Sequence, residues 1–153
     1  MLVQPSSRLN VLGLQLPDPP GPEGLHLPVH RVGALLYTGG VLPVRGGRVV
    51  VRGSVGTDLT LAQGKEAARL CALNILALVE ANGGLDRVAQ VLQLTGFVRS
   101  APGFSQQVEV LNAASDLLVD VLGERGRHTR IAMVTSDLPM GAAAEISAIV
   151  RLN

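Results

Sequence analysis

The sequence predicts an α+β fold in which two long helices pack on one face of a mixed sheet of five or six strands. Two segments carry apolar residues at helical spacing, one from Thr57 or Thr60 to Ala81, the other from Phe104 to Leu122. Strand-like runs precede, separate and follow them, so the order reads ββ, α, β, α, ββ. Apolar residues make up 47% of the 153 and charged residues 16%, enough to bury a core. One domain over 1–153 is the expectation, with 1–30 as an N-terminal capping segment.

Within that segment Ser7 to Gly13 reads as a short helix with Ser7 as N-cap. Four prolines and two glycines between Pro17 and Gly24 exclude regular structure there. From Pro28 the pattern turns to strand. Val32–Tyr37 is β-rich, and Gly39-Gly40 permits close backbone approach. Val41–Arg45 and Arg48–Arg52 flank Gly46-Gly47, a hairpin signal. Thr57 or Thr60 can cap the first long helix, which ends at Asn82-Gly83-Gly84. Its face of Leu61, Ala68, Cys71, Ala72, Ile75, Leu76 and Val79 is broad enough to lie on a sheet.

Val88–Val98 follows as a long strand, with Val88, Gln90, Leu92 and Leu94 alternating against Ala89, Val91, Gln93 and Thr95. The second helix carries Val108, Leu111, Ala114, Ser115, Leu118 and Leu122 at helical spacing. Gly123 and Gly126 bracket the turn that follows it.

Several function classes lose support at once. Net charge is +1, with one Tyr, two Phe and no basic run, which argues against a nucleic-acid partner. The single Cys71 allows no intramolecular disulfide or thiolate metal cluster, and its helical pattern predicts a buried, inert thiol. His26 and His30 have no Cys, Asp or Glu at ligand spacing, against a metal site. Ser54, Ser105 and Ser115 lack a neighbouring His–acid pairing, against a nucleophilic triad. No apolar run approaches the ~18 residues of a membrane span, and the N-terminus lacks a signal-peptide pattern. A cytoplasmic protein without a membrane partner is the expectation.

The C-terminal stretch holds the chemistry. Thr129–Ser136 reads as a strand carrying Arg130, Leu138–Gly141 breaks it, and Ala143–Leu152 reads as a strand carrying Glu145. Ile131 and Met133 form one apolar row; Ile146, Ala148, Val150 and Leu152 form another. With both rows packed under the helices, Arg130 and Glu145 emerge together on the opposite face. The residues alone leave a structural ion pair, a solvated edge or a functional pair open. The helix-free face still carries Val, Leu and Ile, so it predicts self-association.

Arg130, then Leu138-Pro139, then Glu145 resembles the C-terminal signature of the Rid (YjgF-type) family, also catalogued as endoribonuclease L-PSP. RVGALLYTGGVLP, LTGFVRSAPGF, LNAASDLL and GRHTRIAMVTSDLP extend the resemblance from about Leu9 to the end. The likeness is to the branch with an extended N-terminus. It implies a chorismate-mutase-like fold and a homotrimer with clefts between subunits. It also implies hydrolysis of reactive enamine or imine intermediates, such as 2-aminoacrylate, to a 2-keto acid and ammonia. Arg130 would hold a small carboxylate-bearing ligand through its planar fork. Glu145 would act on the attacking water. No metal or organic cofactor is implied.

This chain departs from the family pattern at the substrate end. His26 stands where deaminating members carry Tyr, Gly39-Gly40 where they carry Ser-Gly, and Ala132 where many carry Cys. Asn112 matches a common Asn on the second helix. His128 can line the cleft or cap the Gly126 turn. Two readings from different classes result: a trimeric deaminase, or a non-catalytic ligand-binding trimer using the same cleft. An endoribonuclease fits the charge and the scarce aromatics less well.

Overall fold

The computed structural model describes residues 3–22 and 24–153. Strands β1 (Val29–Val32), β2 (Leu35–Thr38), β5 (Val88–Arg99), β6 (Thr129–Thr135) and β7 (Ala144–Leu152) form one five-stranded sheet, ordered β1-β2-β7-β5-β6. Only β5 and β6 run parallel; the remaining neighbours are antiparallel, so the sheet is mixed. Helices α2 (Leu61–Ala81) and α3 (Gln107–Leu122) lie on one face, with α1 (Pro5–Val11) against α3. A separate two-stranded ribbon, β3 (Val44–Arg45) and β4 (Arg48–Val49), turns through Gly46 and Gly47. Both glycines have positive φ, as that tight turn requires.

Helix α2 starts at a capping box. The Gln63 N–H donates to Thr60 Oγ1 at 3.2 Å, and the Thr60 N–H donates to Gln63 Oε1 at 2.9 Å. Small residues then bring the layers together. A Cβ at Gly64 would stand 3.0 Å from Val55 and 3.2 Å from Val110 of α3. Leu36, Ile75, Leu76, Leu94, Leu111, Leu118 and Ile146 fill the space between helices and sheet. No helix among the described residues is long and apolar enough to cross a membrane.

Several local expectations shift. Val32–Tyr37 is not one strand: Gly33 (φ 59°) turns the chain between β1 and β2. Pro5 opens α1, and Gln4, not Ser7, takes the cap position without a side-chain bond. Val108 leaves the apolar stripe because α3 begins only at Gln107; it is 55% exposed. In β5, register shifts at Val88/Gln90 and Val91/Gln93 break the simple alternation. Val88, Val91, Leu94, Gly96 and Val98 are therefore the buried residues of that strand.

The row assignment of β6 is also reversed. Directly paired residues share a face, and Arg130 lies opposite Leu94, which lies opposite Ala148. Arg130 therefore faces the helices. Ile131 and Met133 lie with Thr95 and Phe97 on the helix-free face, each 45% exposed. Glu145 pairs with Phe97, so it shares that helix-free face. Arg130 and Glu145 of one chain thus point to opposite sides of the sheet. The cause is that β6 is an edge strand whose apolar row belongs to the open face rather than the core.

Candidate functional site

Glu145 stands on β7 beside the Thr38-Gly39-Gly40 segment that leaves β2. Reciprocal backbone hydrogen bonds between Val41 and Ile146, 2.8 and 3.0 Å, clamp that segment to β7. A Cβ on Gly40 would overlap the Glu145 carboxylate, so a side chain there would push Glu145 out of this position. At Gly39 the added Cβ would make only ordinary contacts, 3.7 Å from Leu27 O. His26, Gly39, Gly40 and Glu145 line one cavity of about 220 Å³, whose outer wall includes Pro20 and Gly21 of the N-terminal segment. Partial burial pushes the Glu145 carboxyl above the usual carboxylate range.

Arg130 occupies a second cluster on the helix side. His128, just ahead of β6, and Arg130 and Ala132 on it alternate in sequence, and His128 and Arg130 reach α3. Arg130 Nη1 donates to Ser115 Oγ at 2.9 Å, and Ser115 Oγ lies 2.9 Å from His128 Nε2. His128 Nδ1 lies 2.6 Å from Gly126 O. A guanidinium can only donate, so the Ser115 oxygen accepts from it and its own proton goes to Nε2. That leaves the Nδ1 proton for the Gly126 carbonyl. Burial holds His128 below the usual imidazole range, and the neighbouring Arg130 charge adds to this against the Gly126 bond. A neutral imidazole is what the chain of donors needs.

His128 therefore caps the Gly126 turn and reaches Ser115 at the same time. Helix α3 and the parallel return into β6 bring Ser115 and His128 together. No described carboxylate completes a triad, since a backbone carbonyl holds the imidazole. Asn112 is exposed one turn before Ser115, on the same side of α3. Ala132 is exposed opposite Gly96. The sequence-predicted residues thus fall into two groups. His26, Gly39, Gly40 and Glu145 share the cavity; Arg130, His128, Ala132 and Asn112 gather at the edge formed by β6 and α3.

Arg130 and Glu145 form no ion pair with any described residue. Within one chain, therefore, neither is held by a structural ion pair. Ser115 was the residue that sequence reasoning missed. Its signal was a hydroxyl inside the apolar stripe of α3, where a polar group needs a partner.

Comparison with known proteins agrees with this fold. Residues 6–150 match the family described as "YjgF/chorismate_mutase-like, putative endoribonuclease". Protein TCP17 of Trypanosoma cruzi is 40% identical over 150 residues, covering 97% of this chain and 94% of that one. The crystal structure of Atu1372 from Agrobacterium tumefaciens, a protein of unknown function, is 44% identical with a TM-score of 0.89. That match covers 97% of this chain and 94% of the other. A Shewanella oneidensis structure carrying the same endoribonuclease description is 33% identical with a TM-score of 0.93. It is matched over 98% of this chain and 100% of its own. With the family model spanning nearly every residue and the same fold in these relatives, the chain belongs to the YjgF/chorismate mutase-like family.

Proposed function

We propose that the protein hydrolyses 2-imino acids, or the enamines that tautomerise to them, to 2-keto acids and ammonia. The observation that carries this reading is Glu145, a partly buried carboxyl of raised pKa in a cavity large enough for a small acid. Such a carboxylate is a stronger base than one in water, and its conjugate acid can hand the proton on.

Water attacks the imine carbon while Glu145 takes one of its protons and passes it to the imine nitrogen, giving a neutral carbinolamine. Glu145 then takes the carbinolamine hydroxyl proton as the C=O forms and hands it to the nitrogen. Ammonia leaves with the C–N bond pair, and Glu145 is again a carboxylate. Water is the only co-reactant.

Arg130 would pair with the substrate carboxylate through its fork. Since the two residues face opposite sides of one sheet, Arg130 from one subunit and Glu145 from a neighbour would make each site. The open face, with Ile131 and Met133 each 45% exposed, supports such an assembly, and a homotrimer is its proposed form.

The test is hydrolysis of imino acids generated in situ by an amino-acid oxidase. Acceleration over the spontaneous rate by wild type, lost in both Arg130→Ala and Glu145→Gln, is the expected result. An unchanged rate with every imine would overturn the enzyme reading in favour of a trimer that only binds small acids.

A further inference from the structure

The cavity beside Glu145 says more about its ligand than the carboxyl does. Its remaining wall is made by Leu27, Pro28, Val41, Leu42, Val44 and Leu78. Val41 and Leu78 belong to the packed core, Pro28, Leu42 and Val44 are half-buried and Leu27 is 56% exposed, so the floor of this wall is preformed and its rim is open. Among the described lining residues the only ionisable side chains are His26 and Glu145. His26 is exposed. Gly39 and Gly40 contribute no side chains; a Cβ on Gly40 would fall where the Glu145 carboxylate lies, and one on Gly39 would stand against the Leu27 and Pro28 carbonyls.

From this lining we infer that the ligand is a 2-imino or 2-keto acid whose side chain is a branched aliphatic or aryl group, of isobutyl to benzyl size. The inference rests on the reading that Glu145 faces the reacting carbon. An apolar cavity of about 150 Å³ accepts a benzene ring, and the volume here is about 220 Å³. A methyl or methylene side chain would leave most of that space to water against leucine, valine and proline surfaces. An acidic side chain would meet the Glu145 carboxylate with no described cation on the wall. A basic side chain would pair with Glu145 and occupy the carboxylate that must act on the water.

The discriminating experiment compares imines made from alanine, leucine, phenylalanine, glutamate and lysine with the same oxidase system. It is run beside calorimetric titration of wild-type protein with 4-methyl-2-oxopentanoate and with pyruvate. A kcat/KM for the leucine or phenylalanine imine at least about tenfold above that for the alanine imine is expected, because single methylenes in apolar pockets carry discrimination of that order. Calorimetry should show the same order of preference. Gly39→Val, which adds methyl groups at the cavity wall, should reduce the leucine preference more than the alanine rate.

Equal or better turnover of the alanine, glutamate or lysine imine overturns the inference and leaves the proposed activity standing. Tighter binding of 4-methyl-2-oxopentanoate without acceleration of any imine does the reverse. It removes the activity and supports the apolar ligand class. Equal binding of both keto acids with no acceleration overturns both.

Discussion

Arg130 Nη1 and Ser115 Oγ are joined by a 2.9 Å hydrogen bond, which fixes the direction from which the guanidinium leaves the edge strand. Removing the hydroxyl should loosen that direction without removing charge. Ser115→Ala should weaken 2-keto acid binding by about fivefold, the equivalent of roughly 1 kcal/mol for one such bond. Arg130→Ala should weaken it by about a hundredfold, since two charge-assisted bonds go at once. Arg130→Lys should fall between, because a point charge replaces a fork. Calorimetric titration of each variant decides the order.

His128 should titrate below an ordinary imidazole when followed by NMR through its ring protons. The sign of its stability contribution follows. The unfolded chain, with the higher pKa, binds a proton first as pH falls from about 6.5, so the folded state loses stability there. His128→Gln should remove this part of the acid-side slope in unfolding curves measured at closely spaced pH.

Glu145 has the opposite linkage. Its folded pKa is raised, so the folded state holds the proton more tightly, and stability falls as pH climbs through the folded titration. Glu145→Gln should therefore melt at a higher temperature than wild type near pH 8. The difference should close below about pH 4, where the carboxyl is protonated in both states. A variant less stable than wild type near pH 8 would refute this account of the carboxyl.

Neighbouring glycines make an internal control. Gly40→Ala places a methyl group against the Glu145 carboxylate and should cost about 1–3 kcal/mol, the usual range for overpacking. Imine hydrolysis should drop with it. Gly39→Ala meets nothing closer than 3.7 Å and should unfold within about 0.5 kcal/mol of wild type. Denaturant titration of the pair separates a local clash from a general need for glycine.

Met133→Asp puts a charge on the open face without touching the helix layer. The expected outcome is a single-subunit mass in sedimentation velocity, with secondary structure retained by circular dichroism. Imine hydrolysis should vanish with the assembly if Arg130 and Glu145 come from different subunits.

The element order was legible because α2 and α3 are long amphipathic helices, and because Thr60, Gly46 and Gly47 carry local signals that tertiary packing did not override. The candidate residues were singled out by the spacing of Arg130, Leu138-Pro139 and Glu145. Their relative placement was not legible. Parity tells which residues share a face but not which face is the core, and Ile131 and Met133 are apolar on the side that the helices leave bare. The two shifts in β5 were hidden for a related reason: an inserted residue has no composition of its own. Ser115 and His128, thirteen residues apart, meet only because a helix and a parallel strand return the chain alongside itself.

Cys71 lies in α2 directly over β7, its thiol donating to Ala144 O at 3.8 Å. Burial first, and the charge of nearby Glu145 second, push its pKa far up, so the folded protein offers alkylating reagents neither access nor thiolate. This chain has one sulfhydryl, placed where α2 must part from the sheet before a reagent can enter. Its labelling rate therefore counts the openings that part α2 from the sheet, and the protein carries its own clock for ligand-induced slowing of them.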